Sequence, residues 1–182
     1  MADVFSPKKL ADEARKSYQH GDYLAAARSF DAAGQGYLAA GDQLAAAEQA
    51  NNSSVAYLQA GDAQAALQAV AGTAAVFAAA NDLRRQGLAL GNWAAAQQAL
   101  GNLDAAVEAY QQSADLLAMA GEDRMRAHAL KALSELYLKS GRQGEAVAAM
   151  QSALDGVKKP TVKERVLKSL LGSSSSNPDE IP

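Results

Sequence analysis

Small and large side chains alternate along this 182-residue chain in columns that repeat every 20 residues. Gly34, Ser54, Ala74, Ala94, Ala114 and Ser134 form a small column, and three residues after each stand Tyr37, Tyr57, Phe77, Gln97, Leu117 and Tyr137, most of them large. Ala26, Ala46, Ala66, Ala106 and Ala146 form a second small column, interrupted by Gln86 and Arg126; four residues on come Phe30, Ala50, Val70, Leu90, Tyr110, Leu130 and Met150. Offsets of three and four place residues on one side of an α-helix, where small groups let a neighbouring helix approach and large ones fill the remaining space. The columns are separated by Gly21-Asp22, Gly41-Asp42, Gly61-Asp62, Asn81-Asp82, Gly101-Asn102, Gly121-Glu122 and Gly141-Arg142. Gly or Asn ends a helix in the left-handed conformation, and a following Asp or Asn caps the next one. The pattern predicts helices about 25 Å long, each an antiparallel neighbour of the next. The prolines, Pro7, Pro160, Pro178 and Pro182, all lie near the ends and leave the interior without that breaker.

Leu130, Leu133, Ser134, Tyr137, Gly141, Ala146, Met150 and Ala153 follow one another as in the tetratricopeptide repeat family, and the chain resembles that family there. Leu90, Asn92, Trp93, Ala94, Gly101, Ala106, Tyr110 and Ser113 form a second copy; Asn52, Ser53, Ser54, Tyr57, Gly61, Ala66 and Val70 a third; Leu10, Ala14, Gly21, Ala26, Phe30 and Ala33 a fourth, with Tyr18 beside the expected aromatic place. The 40-residue repeat is longer than the usual one of about 34 and lacks its trailing proline, which is similar to the extended arrays of soluble NSF attachment proteins. The resemblance implies an all-α, right-handed superhelical solenoid of antiparallel helix pairs, a single domain over residues 1–171. Its repeats span about 7–40, 41–80, 81–120 and 121–157, with a C-terminal capping helix at 160–171.

A solenoid's last apolar face needs a cover. Val162, Val166, Leu167, Leu170 and Leu171 fall at helical spacing after Lys158-Lys159-Pro160-Thr161, with Lys163, Glu164, Arg165 and Lys168 elsewhere. Capping is the expected role; the rival is a basic amphipathic helix that meets a membrane or a partner. Residues 172–182, with Ser173 through Ser176 and an acidic end, read as a disordered tail, for which docking into the protein's own groove is an alternative.

Residues suited to catalysis are sparse. The absence of cysteine excludes thiolate metal sites and cysteine nucleophiles, and the two histidines, His20 and His128, stand in different repeats without a carboxylate pair at ligand spacing, so no metal site and no cofactor are expected. Gly34-Gln35-Gly36 lies inside a helical segment without the strand and lysine of a phosphate loop. Gly87 is a single glycine within a helix; Gly91 is another, serving close packing or an approaching ligand. Trp93 occupies a large apolar place of the repeat and reads as core. The run Asn51-Asn52-Ser53-Ser54 puts Ser53 where a large apolar residue is expected, and reads equally as a weak spot in packing or a polar floor of the groove.

Alanine, the strongest helix former, supplies 44 residues, about half of the hydrophobic 49%. The net charge is -3 but unevenly spread: Gly21 through Gly121 hold three basic and nine acidic residues, Glu122 through Leu171 ten basic and six acidic. A net-acidic chain without a dense basic stripe argues against nucleic acid; a positive patch at one end that orients an acidic partner is the sharper reading. No stretch approaches the length of a membrane span, and without an apolar leader the expected compartment is the cytoplasm.

By the resemblance, the first helix of each pair lines a concave groove. The positions projected to face inward are Lys8, Arg15, Tyr18 and Gln19; Glu48, Asn51, Val55, Leu58 and Gln59; Leu88, Gly91, Ala95, Gln98 and Ala99; and His128, Lys131, Glu135, Leu138 and Lys139. Leu and Val can make apolar contact while Asn and Gln satisfy peptide groups. The carboxylate clamp of the family's chaperone-type members is not matched: Ala11, Arg15, Gly91 and Ala95 stand at its places. The expected function is a non-catalytic interaction module or scaffold that binds a peptide or protein segment in the groove. A homo-oligomeric assembly unit and a ligand-sensing repeat domain are the alternatives.

Overall fold

The computed structural model describes residues 6–157 and 160–173, with the side chains of the last two left aside. Ten helices form among these residues: α1 Pro7–Gln19, α2 Tyr23–Ala39, α3 Gln43–Gln59, α4 Ala63–Val70, α5 Thr73–Ala79, α6 Leu83–Ala99, α7 Leu103–Met119, α8 Asp123–Lys139, α9 Gln143–Asp155 and α10 Val162–Ser173. They stack in chain order as antiparallel pairs, α1 on α2, α3 on α4 and α5, α6 on α7, α8 on α9, an all-α tetratricopeptide-like solenoid.

The turns explain the period. Gly21, Gly41, Gly61, Gly101, Gly121 and Gly141 all have positive φ, and Asn81 takes the same conformation at φ 55°. At each turn the following backbone N–H reaches back to the third-last carbonyl of the helix, as in Asp42 N to Tyr37 O and Asp62 N to Tyr57 O, both 2.9 Å. Asp42, Asp62 and Asp82 then accept from the N–H three residues on, which satisfies a donor of the new helix.

The small columns sit where helices touch. Ala26, Ala46, Ala66, Ala106 and Ala146 are buried, as are Gly34, Ser54, Ala94, Ala114 and Ser134. A Cβ at Gly87 would lie 2.9 Å from Leu117 Cγ and 3.3 Å from Ser113 O, and one at Gly91 would lie 3.2 Å from Ser113 Oγ. Both glycines therefore bring α6 close to α7. Ser113 Oγ donates to Gly87 O at 2.7 Å across that contact. Trp93 is half-buried against the large core shared by α6 to α9.

Two elements depart from the pattern. The helix expected between Gly61 and Asn81 is split, because Gly72 adopts φ 76° and Ala71 is extended. Thr73 stabilises the break, its Oγ1 lying 2.8 Å from Val70 O and 3.2 Å from Asn51 Oδ1. The second departure is α10. A reciprocal cap starts it, Thr161 N to Glu164 Oε2 and Glu164 N to Thr161 Oγ1, but the apolar row expected to cover the last repeat stays largely open: Val162 is 66%, Val166 56% and Leu170 60% exposed. Polar contacts hold it, namely Lys168 Nζ to Asp155 Oδ1 at 2.6 Å, Gln151 Nε2 to Leu171 O at 3.3 Å, and Lys131 Nζ to Glu164 Oε1 at 3.5 Å. The helix runs through Ser173, past the expected tail boundary. Lys158, Lys159 and the rest of that tail lie outside the described residues.

Candidate functional site

On the face carried by the first helices, α1, α3 and α6 enclose two depressions that share Asn52 and Val55. A volume of about 280 Å³ is lined by Arg15, Tyr18, Gln19, Phe30, Asn52 and Val55. The second, about 580 Å³, lies between α3 and α6, with Glu48, Asn51, Asn52, Val55, Arg84, Arg85, Leu88 and Asn92 on its walls and Phe77 beneath. The structure thus brings Arg15, Tyr18, Gln19, Glu48, Asn51, Val55 and Leu88 together along one groove.

The remaining projected positions lie elsewhere or are already engaged. Lys8 is exposed at the start of α1 and pairs with Asp12, Nζ to Oδ2 3.1 Å, as does Arg15 at 2.5 Å. The Lys8 hydrogen bond leads in holding the Asp12 carboxyl below its ordinary range. Gln98 accepts from Tyr110 OH at 3.2 Å and so turns toward α7, as Gly91 does. Burial foremost, with the Glu135 charge second, pushes the Tyr110 phenol up to about 12. Leu58 is half-buried and Gln59 exposed near the end of α3. His128, Glu135, Leu138 and Lys139 are exposed on α8, and Lys131 meets Glu164 of α10.

Sequence reasoning missed Asn92, Arg84 and Arg85, and held Asn52 only as part of a run that reads equally as a packing weakness or a groove floor. Asn52 and Asn92 stand 40 residues apart, one repeat, on the same face of α3 and α6. That shared column was the available signal. Among the described residues neither side-chain amide has a hydrogen-bond partner. Arg85 ties the groove wall together: its Nε lies 2.6 Å from Asp82 Oδ2, its guanidinium 3.6 Å from Glu48 Oε2 and 5.1 Å from the centre of the Phe77 ring. The Asp82 carboxyl is held low, first by the Arg85 backbone N–H and then by its side chain. Arg84 Nε reaches Glu122 Oε1 at 2.8 Å, which links α6 to the start of α8.

Asn51-Asn52-Ser53-Ser54 proves to face several ways. Ser53 is fully buried and bonds to Asp31 Oδ1 at 2.5 Å and Ala27 O at 3.2 Å; Tyr57 OH donates to Asp31 Oδ2 at 2.8 Å. Burial, with the Asp31 hydrogen bond second, pushes the Tyr57 phenol up to about 12. Asn51 meets Thr73, and only Asn52 is both on the groove and uncommitted. The run is therefore mainly a polar seam between helices. Tyr137 repeats the motif in the last pair, where Gln111 Nε2 donates to its OH at 2.9 Å.

Among the described residues no group of three or more His, Asp or Glu side chains is placed to hold a metal ion, and no helix is long and apolar enough to cross a membrane. No curated protein sequence is a significant match to the chain. The family model of the tetratricopeptide repeat matches residues 85–159, from α6 through α9. Tetratricopeptide repeats generally mediate contacts between proteins. Residues 85–159 are thus tetratricopeptide repeats, and α1 to α5 continue the same helix pairing ahead of them.

Proposed function

We propose that this protein is a non-catalytic interaction module that holds an extended peptide segment along the groove of α1, α3 and α6. The observation that carries the reading is the pair of uncommitted amides, Asn52 and Asn92, one repeat apart on the wall of a single depression. An asparagine amide both donates and accepts, which matches the N–H and C=O of a peptide unit. Packed helices lie about 8–10 Å apart and an extended chain rises about 3.3 Å per residue, so the two amides address peptide groups about three residues apart. Val55 and Leu88 supply apolar contact between them. Glu48 and Arg85 pair with each other in the wall, so the groove presents no unopposed charge there, which favours a segment of mixed rather than purely acidic character. The proposed compartment is the cytoplasm.

Selection from a displayed library of random peptides tests this reading. Peptides enriched on the wild type should lose about tenfold in affinity to the Asn52→Ala/Asn92→Ala double variant, the loss of two hydrogen bonds. No enrichment, or equal affinity for a folded double variant, would remove the groove as the binding site.

A further inference from the structure

The opposite face, built on the second helices, carries a depression at each repeat junction. One of about 390 Å³ includes Leu90 and Trp93 in its lining, and one of about 440 Å³ includes Leu130 and Leu133. The corresponding space between α2, α3 and the broken α4–α5 helix is larger, about 540 Å³. Two features account for its size. Ala50 stands where the other three repeats place Leu10, Leu90 and Leu130, so a leucine side chain's worth of filling is missing. The break at Gly72 turns the chain, and Ala71, Gly72 and Thr73 form part of the lining.

The lining is apolar along Phe30, Leu38, Ala46, Ala50 and Val76, with Asp31 at its edge. Ser53 and Tyr57 each donate to one carboxylate oxygen of Asp31, which fixes its position and leaves further lone pairs. None of the ion pairs formed among the described residues uses Asp31. Thr73 also lines the space; its hydroxyl donates to Val70 O and can still accept. The pocket therefore offers mainly apolar walls interrupted by Gln35 and Gln43, acceptors, and one negative charge with no cation among the lining residues, although the Arg28 charge is felt at Tyr57. Its volume is within the range of about 300–1,000 Å³ typical of small-molecule sites.

We propose that this pocket binds a small amphiphilic cation, an ammonium or guanidinium group on a hydrocarbon body, with the charge on Asp31 and the body over Ala50. The site opens on the other face from the peptide groove, although Phe30 belongs to both linings and Thr73 bonds to Asn51 of the groove wall.

Hexylammonium chloride is the probe, with sodium hexanoate and hexanol as controls, followed by amide NMR spectra of the full chain. The expected result is saturable shifts at Gly34, Gly72 and Thr73 in about the millimolar range for the ammonium, weaker ones for the alcohol and none for the carboxylate. Asp31→Asn should weaken ammonium binding about tenfold. Ala50→Leu, which installs the side chain the other repeats carry, should abolish binding without lowering Tm. Shifts spread over the surface, hexanoate binding as well as hexylammonium, or a folded Ala50→Leu protein that binds unchanged would each overturn the proposal. Should Asp31→Asn fail to fold, Ala50→Leu and the charge series still decide it.

Discussion

Single atoms decide several contacts in this molecule. At Gly87 an added methyl would press on Leu117 and, less yieldingly, on the backbone oxygen of Ser113. Gly87→Ala should therefore destabilise by about 1 kcal/mol, the overpacking exceeding the gain in helix propensity, as read from the midpoint of urea unfolding. Ala50 presents the opposite case, a position with space to spare; Ala50→Leu should stabilise by about 1 kcal/mol in the same measurement. The tyrosines add a pH signature. In Tyr57 and Tyr110 burial pushes the folded phenol up from 10 to about 12, so their contribution to stability is complete below pH 10 and is lost as pH rises through about 12. Tyr57→Phe, which cannot ionise, should lose less stability than wild type between those pH values in parallel urea titrations.

At the scale of elements, the split of the fourth expected helix into α4 and α5 turns at Gly72 and is tied by Thr73 to Val70 and Asn51. Gly72 holds φ 76°, where any other L-residue is strained, so Gly72→Ala should cost about 1–2 kcal/mol. If the variant proves more stable instead, a continuous helix has replaced the break. For α10 the contrast is between covering a core and leaning on it. Its contacts with the body include ion pairs and a side-chain amide hydrogen bond, while most of its apolar row is open. Exposed ion pairs contribute little and weaken with salt. Hydrogen exchange in α10 should accordingly be far faster than in α8, and Lys131→Glu, which turns the contact with Glu164 repulsive, should accelerate it further.

Over the whole molecule, burial is concentrated in the C-terminal half. The largest core spans α6 to α9 and holds Tyr110, Leu117, Leu133, Leu136 and Tyr137, while the first repeats pack mainly alanine around Phe30 and Phe77. The family match over residues 85–159 covers this same stretch, since large side chains at the repeat's characteristic places make both the core and the signature. In a stacked array the repeats with less apolar burial open first. Hydrogen exchange should show α1 to α3 opening at lower free energy than α7 and α8; uniform protection would contradict this.

The sequence by itself determined the turns, the helix pairs and their order, because a glycine or asparagine in the left-handed conformation and a capping aspartate are local features readable every 20 residues. Of the positions that the repeat resemblance projected inward, Arg15, Tyr18, Gln19, Glu48, Asn51, Val55 and Leu88 line the two depressions. Rotation about each helix axis was less legible. One residue moves the direction of a side chain by about 100° at 3.6 residues per turn, so Asn92 faces the groove while its neighbour Gly91 faces α7. Only the tertiary structure decided the role of Ser53. A serine in a large apolar column looks like a defect until Asp31, 22 residues away on the neighbouring helix, supplies its partner. Tertiary structure likewise decided the break at Gly72, where Asn51 on another helix meets Thr73, and the open face of α10, whose apolar spacing specifies an amphipathic helix but not whether anything covers it. Local conformational preference is written in neighbouring residues, whereas partners distant in the chain become neighbours only once the helices are packed.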